Sequence, residues 1–159
     1  MLIEDGTGLA LADTYADVAF VDAYFLKRNE TSWTGSNTEK EAYIYKAMDY
    51  IEAVYGQNWV GTTLNDTQGL TMPRLYNSQT IYPLALQNAV CLMAMEVLHL
   101  GDNEKLMINV SQRVKKEKVA SIEVEYSEYS SELTQYTEVY QLLSPYLESG
   151  STYQHGVTR

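Results

Sequence analysis

Apolar residues recur at three- and four-residue spacing in four stretches of this chain and at two-residue spacing in a fifth, which predicts four helices and one strand. Asp17 stands as an N-cap before Val18, Val21, Tyr24 and Phe25, so a helix of about three turns should run to Lys27-Arg28-Asn29. The next start signal is stronger: Ser36-Asn37-Thr38-Glu39 has the capping-box form. Behind it Ile44, Ala47, Met48, Ile51, Val54 and Tyr55 mark one helical face, which Gly56 should end. Residues 57–82 carry Gly61, Gly69 and Pro73 and read as loop. Pro83, placed as a first-turn proline, opens a third helix with Leu84, Leu86, Val90, Leu92, Met93, Met95, Val97 and Leu98 on nearly every side. Such a helix must be covered by its neighbours or by another chain. A fourth helix runs through residues 134–149, with Val139, Leu142, Leu143, Tyr146 and Leu147 on one face and Pro145 placed to bend it.

Between the third and fourth helices lies "RVKKEKVASIEVEY", residues 113–126. Arg113, Lys115, Lys116 and Lys118 crowd into six positions, and from Ile122 the apolar residues Ile122, Val124 and Tyr126 alternate with Glu123 and Glu125. A lone strand needs a partner edge, which residues 107–114 or another subunit could supply. The tail, Ser149 to Arg159, has no core-forming pattern and should be disordered in the isolated protein. The expected fold is therefore mainly α. It is a small bundle of about four helices with a short strand or hairpin near 107–126 and an extended C-terminal arm.

Length and charge limit the functions open to such a fold. With 159 residues and 45% hydrophobic content the chain supports one core, so residues 1–148 should form a single domain and 149–159 a flexible arm. The net charge of −10 argues against a surface that binds DNA or anionic lipid over its whole extent. The charge is uneven: residues 105–118 sum to +4, and residues 119–148 hold six glutamates and no Lys or Arg. A basic stretch followed by an acidic one suits a contact in which one subunit's plus face meets the next subunit's minus face. The single Cys91 lies in an apolar run, which fits a reducing compartment. The N-terminus carries acids where an export signal needs positive charge, and no stretch approaches the ~20 apolar residues of a membrane span, so no membrane partner is expected.

The motifs of catalysis are missing. There is no phosphate-binding glycine loop, and "DGTG" at 5–8 lacks the flanking strand and helix of a nucleotide site, so it reads as a turn. One cysteine and two histidines, His99 at a helix end and His155 in the tail, do not make a zinc site. No nucleophile with its base can be singled out. Glu39 with Glu41, and Glu123 with Glu125, are spaced like solvated faces. No enzyme, cofactor or metal is expected. The conspicuous composition is fourteen tyrosines against two phenylalanines and two tryptophans. Tyr126, Tyr129, Tyr136, Tyr140 and Tyr146 lie in the stretch without Lys or Arg, which favours protein contact over base stacking.

Several of these segments, in this order, resemble one phage protein family. They are the acidic-Asp-Gly-Thr-Gly-Leu opening, Asp22-Ala23-Tyr24, "AMDYIEAVYG", Pro73-Arg74, the apolar third helix, and "VKKEKVASIEVEY" followed by a Leu-Leu-x-Pro-Tyr-Leu helix. The chain resembles, over nearly its whole length, the head-to-tail adaptor or head-completion proteins of tailed bacteriophages, some of whose members are labelled DnaT-like single-stranded DNA-binding proteins. Met72 stands where a tryptophan often precedes the family's Pro-Arg. The resemblance implies a virion protein of the neck, made in the host bacterial cytoplasm. It implies a dodecameric ring beneath the portal protein that contacts tail or neck proteins and lets genomic DNA pass without sequence-specific binding. On that reading Lys115, Lys116, Lys118, Ile122, Val124 and Tyr126, together with Tyr153, His155 and Arg159 of the arm, form a subunit or portal interface. The alternative is a single-stranded DNA-binding protein of phage replication, in which the same lysines would face phosphates.

Overall fold

The computed structural model describes residues 1–101, 116–119, 122–125 and 136–148. Its order is α1 (Val18–Leu26), α2 (Asn37–Tyr55), β1 (Thr62–Thr63), β2 (Arg74–Tyr76), β3 (Gln79–Ile81), α3 (Leu84–Leu100), β4 (Lys116–Val119), β5 (Ile122–Glu125) and α4 (Thr137–Leu143). The fold is mainly α with small antiparallel sheets.

Asp17 caps α1 as its sequence position predicts, its carboxylate accepting the Phe20 N–H at 2.7 Å. Ser36 and Glu39 complete the capping box of α2, each side chain accepting the other residue's backbone N–H. The linker between the two helices is fastened by Asp22, whose Oδ1 accepts from the Trp33 indole at 2.7 Å and from the Lys40 ammonium at 2.9 Å. Trp33 thereby packs on Phe25 and Tyr43, and α1 is held against α2.

Helix α3 runs through the centre and packs on α1, α2 and α4. Leu86, Ala89, Val90, Cys91, Met93, Ala94, Met95 and Val97 are buried, so its all-round apolar pattern is covered within the chain. Pro83 sits one position earlier than a first-turn proline, as the N-cap itself, with its carbonyl accepting the Leu86 N–H. Helix α4 is shorter than its apolar pattern suggested. Val139 and Leu143 are buried, Pro145 lies in a tight 3-10 turn over Ser144–Tyr146, and Leu147 forms a bridge with Trp59. Hydrogen bonds from Val60 N–H to the Tyr146 carbonyl and from Glu148 N–H to the Asn58 carbonyl then strap the end of this segment to the turn after α2. Burying Val139 and Leu143 contributes roughly 1.5–3 kcal/mol each.

Residues 57–82, expected to be loop, contain a three-stranded antiparallel sheet in the order β1-β2-β3. Asn77 and Ser78, both at positive φ, form the turn that pairs Tyr76 with Gln79, Leu75 with Thr80 and Arg74 with Ile81. Gly61 precedes β1 at φ 77°, where an added Cβ would lie 2.3 Å from the Leu75 carbonyl oxygen, so only glycine lets the two backbones approach.

The strand expected from Ile122 onward is present, and its partner is the lysine-bearing segment itself, Lys116–Val119, rather than residues 107–114. The tail expectation, for residues 149–159, lies outside the described residues.

Candidate interaction surfaces

Two carboxylates organise the surface loops. Glu4, 1% exposed, accepts the N–H groups of Gly6 and Gly8 on Oε1 and of Leu9 on Oε2, at 2.8–2.9 Å. The "DGTGL" opening is thus a turn wrapped around its own buried acid, as its lack of flanking elements suggested. Asn65 donates to the Thr7 and Gly8 carbonyls, and the Tyr82 hydroxyl donates to the Glu4 carbonyl at 2.6 Å. The N-terminal loop is therefore fixed to both ends of the sheet-bearing segment. Glu52 does the same from α2: it accepts from the Tyr15 and Thr71 hydroxyls and from the Thr71 N–H. The Trp59 indole donates to Thr71, and the Met72 N–H donates to the Tyr15 hydroxyl. Burial, with the Glu52 charge beside it, raises the Tyr15 pKa far above the usual phenol range. These residues are scaffold: their hydrogen bonds tie neighbouring segments of the chain together.

The surface they support is acidic. The folded body, residues 1–101 and 136–148, holds fourteen acids and five cations. Among the cations, Lys40 pairs with Asp22, Arg28 lies 3.4 Å above the Tyr24 ring, and Arg74 donates to the carbonyls of Trp59 and Gly61. An open groove of about 550 Å³ lies among α1, α3 and α4, floored by Phe25, Leu92, Met95 and Leu142, with Arg28, Glu30 and Glu138 among its polar lining. Exposed apolar side chains lie elsewhere: Leu11 and Leu26 at 81%, Leu84 at 61%, and Leu75 and Tyr76 on β2. Among the described residues no three His, Cys, Asp or Glu side chains converge as a metal site. No helix is long and apolar enough to cross a membrane.

Of the residues singled out in the sequence, Lys116 and Lys118 fall in β4 and Ile122 and Val124 in β5. The register sets Lys116 opposite Glu125 and Lys118 opposite Glu123. Register thus sets these lysines and glutamates at paired backbone positions of one ribbon. Lys115, Tyr126, Tyr153, His155 and Arg159 lie outside the described residues. Among the tyrosines of the stretch without Lys or Arg, Tyr136, Tyr140 and Tyr146 pack on this chain's own core, with Tyr136 edge-on to Tyr50 at 5.5 Å. Their contact is intramolecular; Tyr126 and Tyr129 are outside the described residues. Sequence reasoning missed Leu75, Tyr76 and the β3 edge, for which the only signal was the Asn-Ser pair between two short β-prone runs.

The described residues form a small, mainly helical scaffold with an acidic surface and loops stitched by carboxylates. The family comparison is more particular: a family model described as "Putative DnaT-like ssDNA binding protein" matches residues 1–159, and the chain belongs to that family. No curated protein and no solved structure matches the chain.

Proposed function

We propose that this protein is a structural head-to-tail adaptor of a tailed bacteriophage, a non-enzymatic subunit that joins copies of itself and the portal protein into a ring continuing the DNA channel. The observation that carries this reading is the charge of the folded body, fourteen acids against five cations over residues 1–101 and 136–148. Acidic walls let duplex DNA slide past, because phosphate attraction would hold it. The resemblance noted in the sequence supplies the neck location and the ring. Light scattering behind size exclusion, on the protein alone and mixed with its phage's portal, tests it. Joining the portal in fixed stoichiometry is expected, and no association at low and moderate salt would overturn it.

The second reading is single-stranded DNA binding, and the family description favours it directly. It requires phosphate contacts from the basic residues of 105–118, since the described body offers few. Titration with an oligonucleotide at two salt concentrations separates the readings. An adaptor shows little affinity at either, whereas a DNA-binding protein binds tightly at low salt and weakly at high salt.

A further inference from the structure

We infer that the β3 edge is an assembly edge, to which the β4–β5 ribbon of a second copy of this chain adds as further strands. The inference rests on the adaptor reading and names the contact between subunits. Strand β3 ends its sheet, with β2 on one side and no strand on the other among the described residues. The turn fixes which backbone groups are free. Tyr76 and Gln79 flank a two-residue turn and exchange hydrogen bonds, so the next pair, Leu75 and Thr80, does not. The N–H and C=O of exposed Thr80 therefore point away from β2, toward an absent neighbour.

Natural edges are blunted by shortness, charge, proline or a bulge, and β3 with its three residues uses only the first. Gln79-Thr80-Ile81 carries neither charge nor proline, and beside it Leu75 and Tyr76 leave 41% and 44% of their surfaces exposed. The occupant is on the same chain. A two-stranded ribbon is marginal alone and needs a third strand. The β4–β5 ribbon is such a pair, and within its own chain it forms a sheet separate from β1-β2-β3. Charge does not oppose the match: the three strands of the receiving sheet carry Arg74 and no acid, and the ribbon, with Lys116 and Lys118 in β4 and Glu117, Glu123 and Glu125 across β4 and β5, sums to −1. Because edge and ribbon are different surfaces of one chain, their pairing is head-to-tail, the kind of contact that closes into a ring.

Thr80→Pro tests this without dismantling the sheet, since it removes only the outward N–H and proline is tolerated on an edge strand whose N–H faces solvent. Thr80→Val keeps the N–H and serves as control. The mass of each variant is measured by light scattering over a range of concentrations, alone and with the portal protein, and thermal melts confirm that each is folded. Wild type and Thr80→Val are expected to assemble, while folded Thr80→Pro falls at least tenfold in association. Equal assembly of all three overturns the edge contact and leaves the adaptor reading standing. A wild type that stays monomeric and ignores the portal overturns both. Should Thr80→Pro fail to fold, amide exchange of wild-type Thr80 decides: slowing on assembly supports the contact, and unchanged exchange overturns it.

Discussion

At the scale of single residues, stability rests on a few acids and hydroxyls whose partners are backbone groups. Glu4 receives three N–H donors from the loop it closes. Glu4→Gln keeps the shape but replaces one accepting oxygen by a donor facing an N–H, so unfolding in urea should show a loss of about 1–3 kcal/mol. A loss no larger than that of an exposed control such as Glu41→Gln would show that the loop does not depend on the acid. Cys91 makes the opposite point. It is fully buried among apolar side chains, and burial pushes its thiol pKa up to about 12. The folded protein should leave a thiol reagent unreacted at pH 8 and react fully once unfolded. The sign of the pH effect follows: an unfolded thiol ionises near its ordinary value of 9.0 while the folded one stays neutral, so stability should decline as pH rises past about 9. Burial raises Tyr15, Tyr55 and Tyr82 as well, adding to the alkaline loss above their ordinary 10.0.

At the scale of elements, the caps turn local chemistry into helix boundaries. Hydrogen bonds from the Ser36 backbone and side chain hold the Glu39 carboxyl below its ordinary 4.5. A depressed carboxylate contributes stability that is complete above the unfolded value and fades as pH falls through the folded one. Acid titration of wild type against Glu39→Gln should thus show a difference present at neutral pH and shrinking below about 4.5. Parallel curves through that window would show that the capping box does not carry it. The same local character explains what the sequence revealed. Asp17, Ser36 and Glu39 act within three residues of themselves, so α1 and α2 begin where their signals stand. Helix α3 was legible because seventeen residues carry a sustained apolar pattern. The β1-β2-β3 sheet was not, because strands of two or three residues are too short for alternation and their pairing depends on Gly61 meeting the Leu75 backbone. Helix α4 was overextended because Leu147 looks helical by spacing, yet its partner is Trp59, 88 residues earlier. Of the interface residues named from sequence, the strand itself was legible by alternation, whereas its pairing with Lys116–Val119 needed a register that composition cannot supply.

At the scale of the whole molecule, the decisive property is where charge is placed. The described body is acidic, and the chain's basic residues concentrate in 105–118, where the register of β4 and β5 sets two lysines against two glutamates. The two readings assign the lysines of this segment different partners. The adaptor and DNA-binding readings therefore diverge on one triple variant, Lys115→Glu, Lys116→Glu, Lys118→Glu. If the lysines bind a neighbouring subunit or the portal, wild-type assembly weakens as salt rises, the variant assembles poorly even at low salt, and oligonucleotide affinity is low for both proteins. If they bind single-stranded DNA, wild-type affinity falls with salt at a logarithmic slope of about −2 for three phosphate contacts, and the variant abolishes it. The expected result is the first. Assembly that keeps both its strength and its salt dependence in the variant would remove the lysines from the interface and leave the β3 edge to carry association by backbone pairing alone.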